Sequence, residues 1–108
     1  MTLTYLKEQI KEELDGARQY IEKAIEAKIS HPAWSRMFVS VADAETDHAV
    51  NLMKMMENLI REAKKNETKI NSTDSSMINT QTPEDVYKNC MKELGETMTY
   101  VTNMKRGL

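Results

Sequence analysis

Cysteine occurs once in the 108 residues, at Cys90. A lone thiol forms no internal disulfide and builds no paired-cysteine zinc or iron site, so a reducing compartment suits the chain. Glycine is limited to three positions and proline to two, and no β-branched alternation bounded by turn pairs appears, so strands are not expected. No apolar run is long enough to cross a membrane or serve as a secretory leader. These absences predict a cytoplasmic protein with no membrane contact. A surplus of one charge is also missing: 15 basic residues face 17 acidic ones, for a net charge of -2. Such a balance provides no basic face for nucleic acid.

What remains is an all-α pattern with apolar residues making up 40% of the chain. Three helices are expected, from about Leu3 to Lys28, from Pro32 to Ala63, and from Pro83 to Met104. Ser30-His31-Pro32 is too short a break for anything but an antiparallel hairpin, because proline is tolerated in a first helical turn. Thr82 is placed to cap the third helix, with Pro83, Glu84 and Asp85 in its first turn. The predicted organisation is one domain: a hairpin over 1–64, a polar connection over 65–82 and a third helix over 83–108. The connection, at full extension, reaches on the order of 55 Å. A helix of ~30 residues is about 45 Å long, so the third helix is free to begin at either end of the hairpin.

Leu3, Leu6, Ile10, Leu14, Ala17, Ile21, Ala24 and Ile25 form a stripe on the first helix with the three-and-four spacing of a core face. Glu13 lies at its edge. The second helix carries Trp34, Phe38, Val41, Ala42, Ala49, Leu52, Met56, Leu59, Ile60 and Ala63 on one face. Glu45 falls near the centre of that face and His48 at its margin. An ionised carboxylate among hydrocarbon requires compensation, since lost hydration is costly. A cation, a basic side chain such as Arg36 or a lysine, a tyrosine of a partner subunit or an aqueous opening would each supply it.

Counting from the turn, Glu13 lies about as deep in the hairpin as Glu45 and His48, within about one helical turn, or ~5 Å. Two carboxylates and an imidazole are therefore expected at one level of the helix interface. Glu-x-x-His on one helix face is the arrangement used by helix-bundle di-iron and di-manganese centres. Oxygen donors with imidazole suit iron, and manganese or zinc suit the same donors. One hairpin carries half of such a ligand set. A homodimer, or a multiple of dimers, would supply the other half and cover both apolar stripes.

Two runs of residues resemble the ferritin-like superfamily, in particular bacterioferritin and rubrerythrin: Glu13-Leu14-Asp15-Gly16-Ala17-Arg18-Gln19-Tyr20 and Glu45-Thr46-Asp47-His48-Ala49. The resemblance covers about residues 5–60. It implies a ferritin-like four-helix bundle completed by dimerisation, two iron ions per completed site, Glu13 as a terminal ligand, Glu45 as a bridge and His48 as a ligand to one metal. It also implies Tyr20 as a hydrogen-bonding neighbour of that site. The third helix repeats the first weakly at an offset of 80, with Leu6, Ile10, Glu13, Leu14, Tyr20 and Ile21 answered by Val86, Cys90, Glu93, Leu94, Tyr100 and Val101. Glu93 is thereby a candidate extra ligand. The sequence departs from the superfamily in having no second ExxH, which makes it similar to the half-length ferritins stored in encapsulins. Thr46 stands where bacterioferritin has its haem methionine, so haem is not expected.

The function expected from these residues is oxidation of Fe(II) by oxygen or peroxide at a site shared between subunits, with Glu13, Glu45 and His48 as the reactive set. The alternative is a metal-free helical scaffold of the kind found in phage or spore assemblies. A third reading is an amphipathic adaptor for a partner helix.

Overall fold

Thr2 caps the first helix. Its hydroxyl accepts a hydrogen bond from the Tyr5 amide at 3.0 Å, satisfying one of the unpaired donors at the start of α1, Leu3–Ala27. Residues 2–66 and 82–108 are described by the computed structural model; the polar connection expected from the sequence lies almost wholly outside them. The second helix, α2, spans Pro32–Asn66, three residues beyond the expected Ala63. Lys64 and Lys65 in its last turn complement the negative end of the helix dipole. The third helix, α3, spans Pro83–Arg106. Thr82 caps it by accepting from the Asp85 amide at 3.1 Å. No strand occurs among the described residues, as an all-α reading requires.

The hairpin between α1 and α2 is closed by a contact the stripes do not reveal. Ser35 is buried, and its hydroxyl donates to the Ala24 carbonyl at 2.7 Å. At the turn, His31 and Trp34 stack with ring centroids 3.9 Å apart.

The core lies in two segments along the bundle. One joins Leu6, Ile10 and Leu14 to Ala49, Met53, Met56, Val86, Cys90 and Leu94. The other joins Ala17, Ile21 and Ala24 to Ala42 and Val101. Val86 therefore sits beside Leu6, and Val101 beside Ile21, so α3 runs parallel to α1 and antiparallel to α2. It begins at the end of the hairpin where α2 stops. Polar contacts fix it there. Lys64 pairs with Glu84 at 2.8 Å, and the Tyr87 hydroxyl donates to Glu57 at 3.1 Å. At the far end Lys105 pairs with Asp43 at 3.0 Å, and the Tyr100 hydroxyl donates to Glu22 at 2.6 Å.

The apolar face of α2 proves broader than one neighbouring bundle covers. Ala42, Ala49, Met53 and Met56 are buried, while Phe38, Val41, Leu52, Leu59 and Ile60 are half-buried and Trp34 is exposed. Met53, absent from the expected stripe, belongs to the core. Stepping ~100° per residue, His48 falls roughly opposite Asp43 and Glu57, the α2 residues that α3 engages. One side of the hairpin is thus covered by α3 and the other is left bare.

Candidate metal centre

Glu13, Glu45 and His48 come together. Glu13 lies midway along α1, beside the core residue Leu14, and the α2 residues reach it across the bare side of the hairpin. One ligand atom from each of the three lies within 4.8 Å of the others. The imidazole Nδ1 of His48 stands 3.4 Å from Glu13 Oε2, in ion-pair range when the ring is protonated. That oxygen is sealed from solvent and accepts no hydrogen bond. A buried carboxylate oxygen without a partner is uncommon, because its desolvation is uncompensated. The site is sealed on one side only: the His48 side chain is 58% exposed, against 23% for Glu13.

Glu45 is half-buried rather than at the middle of a buried face. Burial pushes its carboxyl above the ordinary glutamate range; the negative charge of Glu13 and a hydrogen-bonding contact with it push the same way, and His48 opposes them. Two carboxylates held this close disfavour ionising together. A cation between them removes that conflict. Of the protein groups expected to answer Glu45 from within the chain, neither Arg36 nor a lysine pairs with it among the described residues.

Gly16 adjoins Glu45, a contact that sequence reasoning passed over. A β-carbon there would collide with Glu45 Oε2 and come within 3.2 Å of its Cδ and 3.6 Å of its Cγ. The Glu45 carboxylate occupies space on α1 that any other residue would fill. Glycine in a helix interior is destabilising by roughly 0.5–1 kcal/mol relative to alanine, so a glycine one turn past Glu13 was the available signal.

The remaining candidates lie elsewhere. Tyr20 packs its ring against Phe38, 6.1 Å between centroids, with the Lys23 ammonium 5.8 Å from its own ring centre; no hydrogen bond ties it to the three ligand-type side chains. Glu93 is exposed on α3 and lines a shallow pocket of about 90 Å³ with Lys11, Asp15 and Arg18 on the other side of α1. It is not part of the group. Cys90 is buried at 2% exposure, and burial first, then the Glu93 charge, raises its thiol above the usual range, which suits an inert core residue.

With this geometry in place, comparison with family models gives a match to rubrerythrin over residues 4–105. The chain belongs to the rubrerythrin family. The match takes in all three helices, α3 included, and so extends past the segment whose motifs carried the resemblance. No curated protein and no solved structure matches this rubrerythrin-family chain. No described helix is long and apolar enough to cross a membrane.

The donor set fits an iron-class ion. Two carboxylates and one imidazole are the donors that iron and manganese accept, and the buried Glu13 oxygen that accepts no hydrogen bond lies 3.4 Å from the His48 imidazole. Two carboxylates and one imidazole on facing helices are the donor types that helix-bundle metal centres use.

Proposed function

We propose that this chain is a di-iron carboxylate protein that oxidises Fe(II) with oxygen or peroxide at a site shared between two subunits. The observation that carries the reading is the convergence of Glu13, Glu45 and His48, with one buried Glu13 oxygen that accepts no hydrogen bond. The family match over residues 4–105 supports it. Glu13, Glu45 and His48 would hold the iron, and two Fe(II) ions would supply the two electrons that take dioxygen to the peroxide level. Glu13, anchored beside the core, holds a fixed carboxylate. Glu45 lays its carboxylate in the notch left by Gly16, within reach of Glu13 and His48. His48 faces solvent and supplies the imidazole donor at the open side.

Anaerobic titration with Fe(II), followed by a pulse of oxygen, tests this. Wild-type protein is expected to take up iron and oxidise it faster than buffer does, and Glu45→Ala to do neither. Equal uptake and oxidation by the two proteins would reject the assignment.

A further inference from the structure

The three helices share the core unevenly. Between α1 and α2 it is closed: Ala17, Ile21, Ala24, Ala42 and Ala49 are fully buried, and the Ser35 hydroxyl bonds the Ala24 carbonyl beside them. α3 adds only Val86, Cys90, Leu94, Thr97 and Val101 to the interior. Thr97 brings a hydroxyl where the neighbouring buried positions bring hydrocarbon or sulfur. Around it the α1–α3 seam opens into a pocket of about 90 Å³ that reaches Leu14. The α2–α3 seam opens in turn at a pocket of about 350 Å³ that reaches Val101.

Polar contacts hold α3 mainly at its two ends. Lys64 with Glu84, and Tyr87 with Glu57, fasten its start. Lys105 with Asp43, Tyr100 with Glu22, and the Lys28 ammonium on the Gly107 carbonyl at 2.6 Å fasten its finish. Between Tyr87 and Tyr100 no hydrogen bond or ion pair ties α3 to the hairpin among the described residues. The end contacts are all solvent-exposed, and exposed ion pairs contribute little each. Elements with few buried apolar contacts and exposed polar ties open before the rest of a fold.

We propose that α3 is a strap: it opens from the hairpin as a unit while α1 and α2 stay paired, and the ion pairs at its two ends set how often it does so. Closed, it covers Leu6, Ile10 and Leu14 on α1 and Met53 and Met56 on α2. Open, it bares that face and Cys90 with it. Glu13, Glu45 and His48 lie on the other side of the hairpin and are untouched by the movement, so the strap stands apart from the metal reading. Ionic strength is its control. Salt screens exposed charges and leaves the apolar contacts of α3 in place.

Cys90 is the built-in reporter, since it is the sole cysteine and is buried by α3 packing. The full chain, with a chelator present, is treated with the thiol reagent DTNB. Labelling of wild type is expected to speed up several-fold between low salt and about 1 M salt, where the Debye length is roughly 3 Å. The double variant Lys64→Ala with Lys105→Ala, both surface changes, is expected to react several-fold faster than wild type at low salt and to lose most of the salt response. The labelling rate should also rise less steeply with urea than global unfolding does, because less surface is exposed. Hydrogen exchange read by mass spectrometry on the same samples is expected to show the amides of α3 exchanging ahead of those in residues 10–24 and 42–56. Labelling that follows the urea dependence of global unfolding, α3 amides that exchange in step with the hairpin, or a rate indifferent to salt and to both substitutions would each overturn the proposal.

Discussion

α1 and α3 carry the same faint motif and put it to different ends. Leu6, Ile10, Leu14 and Ile21 are buried in α1, and Val86, Cys90, Leu94 and Val101 are buried at the matching positions of α3. The polar members diverge. Glu13 turns its oxygen into a sealed space beside Glu45 and His48, while Glu93 is exposed. Tyr20 lies against Phe38, while Tyr100 gives its hydroxyl to Glu22 and receives the Arg18 guanidinium 4.8 Å from its ring centre. The difference comes from what α2 presents to each helix. Toward Glu13 it presents Glu45 and His48; toward α3 it presents Asp43, Thr46 and Asp47 around an open pocket with Lys105. Gly16 has no counterpart either, since the matching position of α3 is Glu96. A stripe places a helix, but the neighbouring side chain decides what a residue at the edge of the stripe does.

The largest expected break in this comparison is in metal uptake. Glu13→Ala and His48→Ala should each abolish tight Fe(II) binding, and Glu93→Ala should leave it unchanged, as read by anaerobic titration. Loss of binding in Glu93→Ala would bring α3 into the site.

Next come the two helix glycines. Replacing either by alanine favours the helix by roughly 0.5–1 kcal/mol, and a β-carbon at Gly95 meets nothing within 4 Å. Gly95→Ala should therefore raise the melting temperature with iron affinity intact. Gly16→Ala should keep the fold, because the obstructing atom is the end of a flexible side chain, yet weaken iron binding on the order of 10–100-fold, the range seen when a ligand's supporting partner is lost. Unchanged affinity in Gly16→Ala would remove the notch from the account.

A pH dependence follows from Glu45. Its carboxyl is raised in the folded chain, so its contribution to stability is fully present below the ordinary glutamate range and is lost as pH rises through the folded value. Metal-free Glu45→Gln should then be more stable than wild type at neutral pH, with the gap closing in acid. Glu93→Gln should show no comparable trend. Thermal unfolding across pH with a chelator present measures both.

The smallest effect separates the two tyrosines. Tyr100→Phe removes a bond to an exposed carboxylate and should cost about 0.5–1.5 kcal/mol. Tyr20→Phe should cost close to nothing, since its contacts are made by the ring.

Much of this was legible in the residues. Apolar spacing, the Thr82-Pro83 start and the short Ser30-His31-Pro32 break specify the three helices and the hairpin. Counting depth from the turn brings Glu13, Glu45 and His48 to one level. The placement of α3 was not legible, because a connection of that length permits either end; the Lys64–Glu84 and Tyr87–Glu57 contacts and the matched core residues define it. Periodicity also cannot tell a buried stripe from one awaiting a partner: Trp34 fits the stripe by spacing, as a core or a dimer contact, and stands exposed in the single chain. Gly16 was hidden for a different reason: its role is the volume it leaves to a residue on another helix.

The central claim is that Glu13, Glu45 and His48 hold iron as half of a dinuclear site. Iron content and molar mass, determined on one eluting peak after anaerobic loading, test it most directly. The account predicts one iron per chain, in a species whose mass is that of a dimer or a multiple of dimers. A peak of that mass without iron, or iron retained at the same ratio when Glu45 is replaced by alanine, would contradict it.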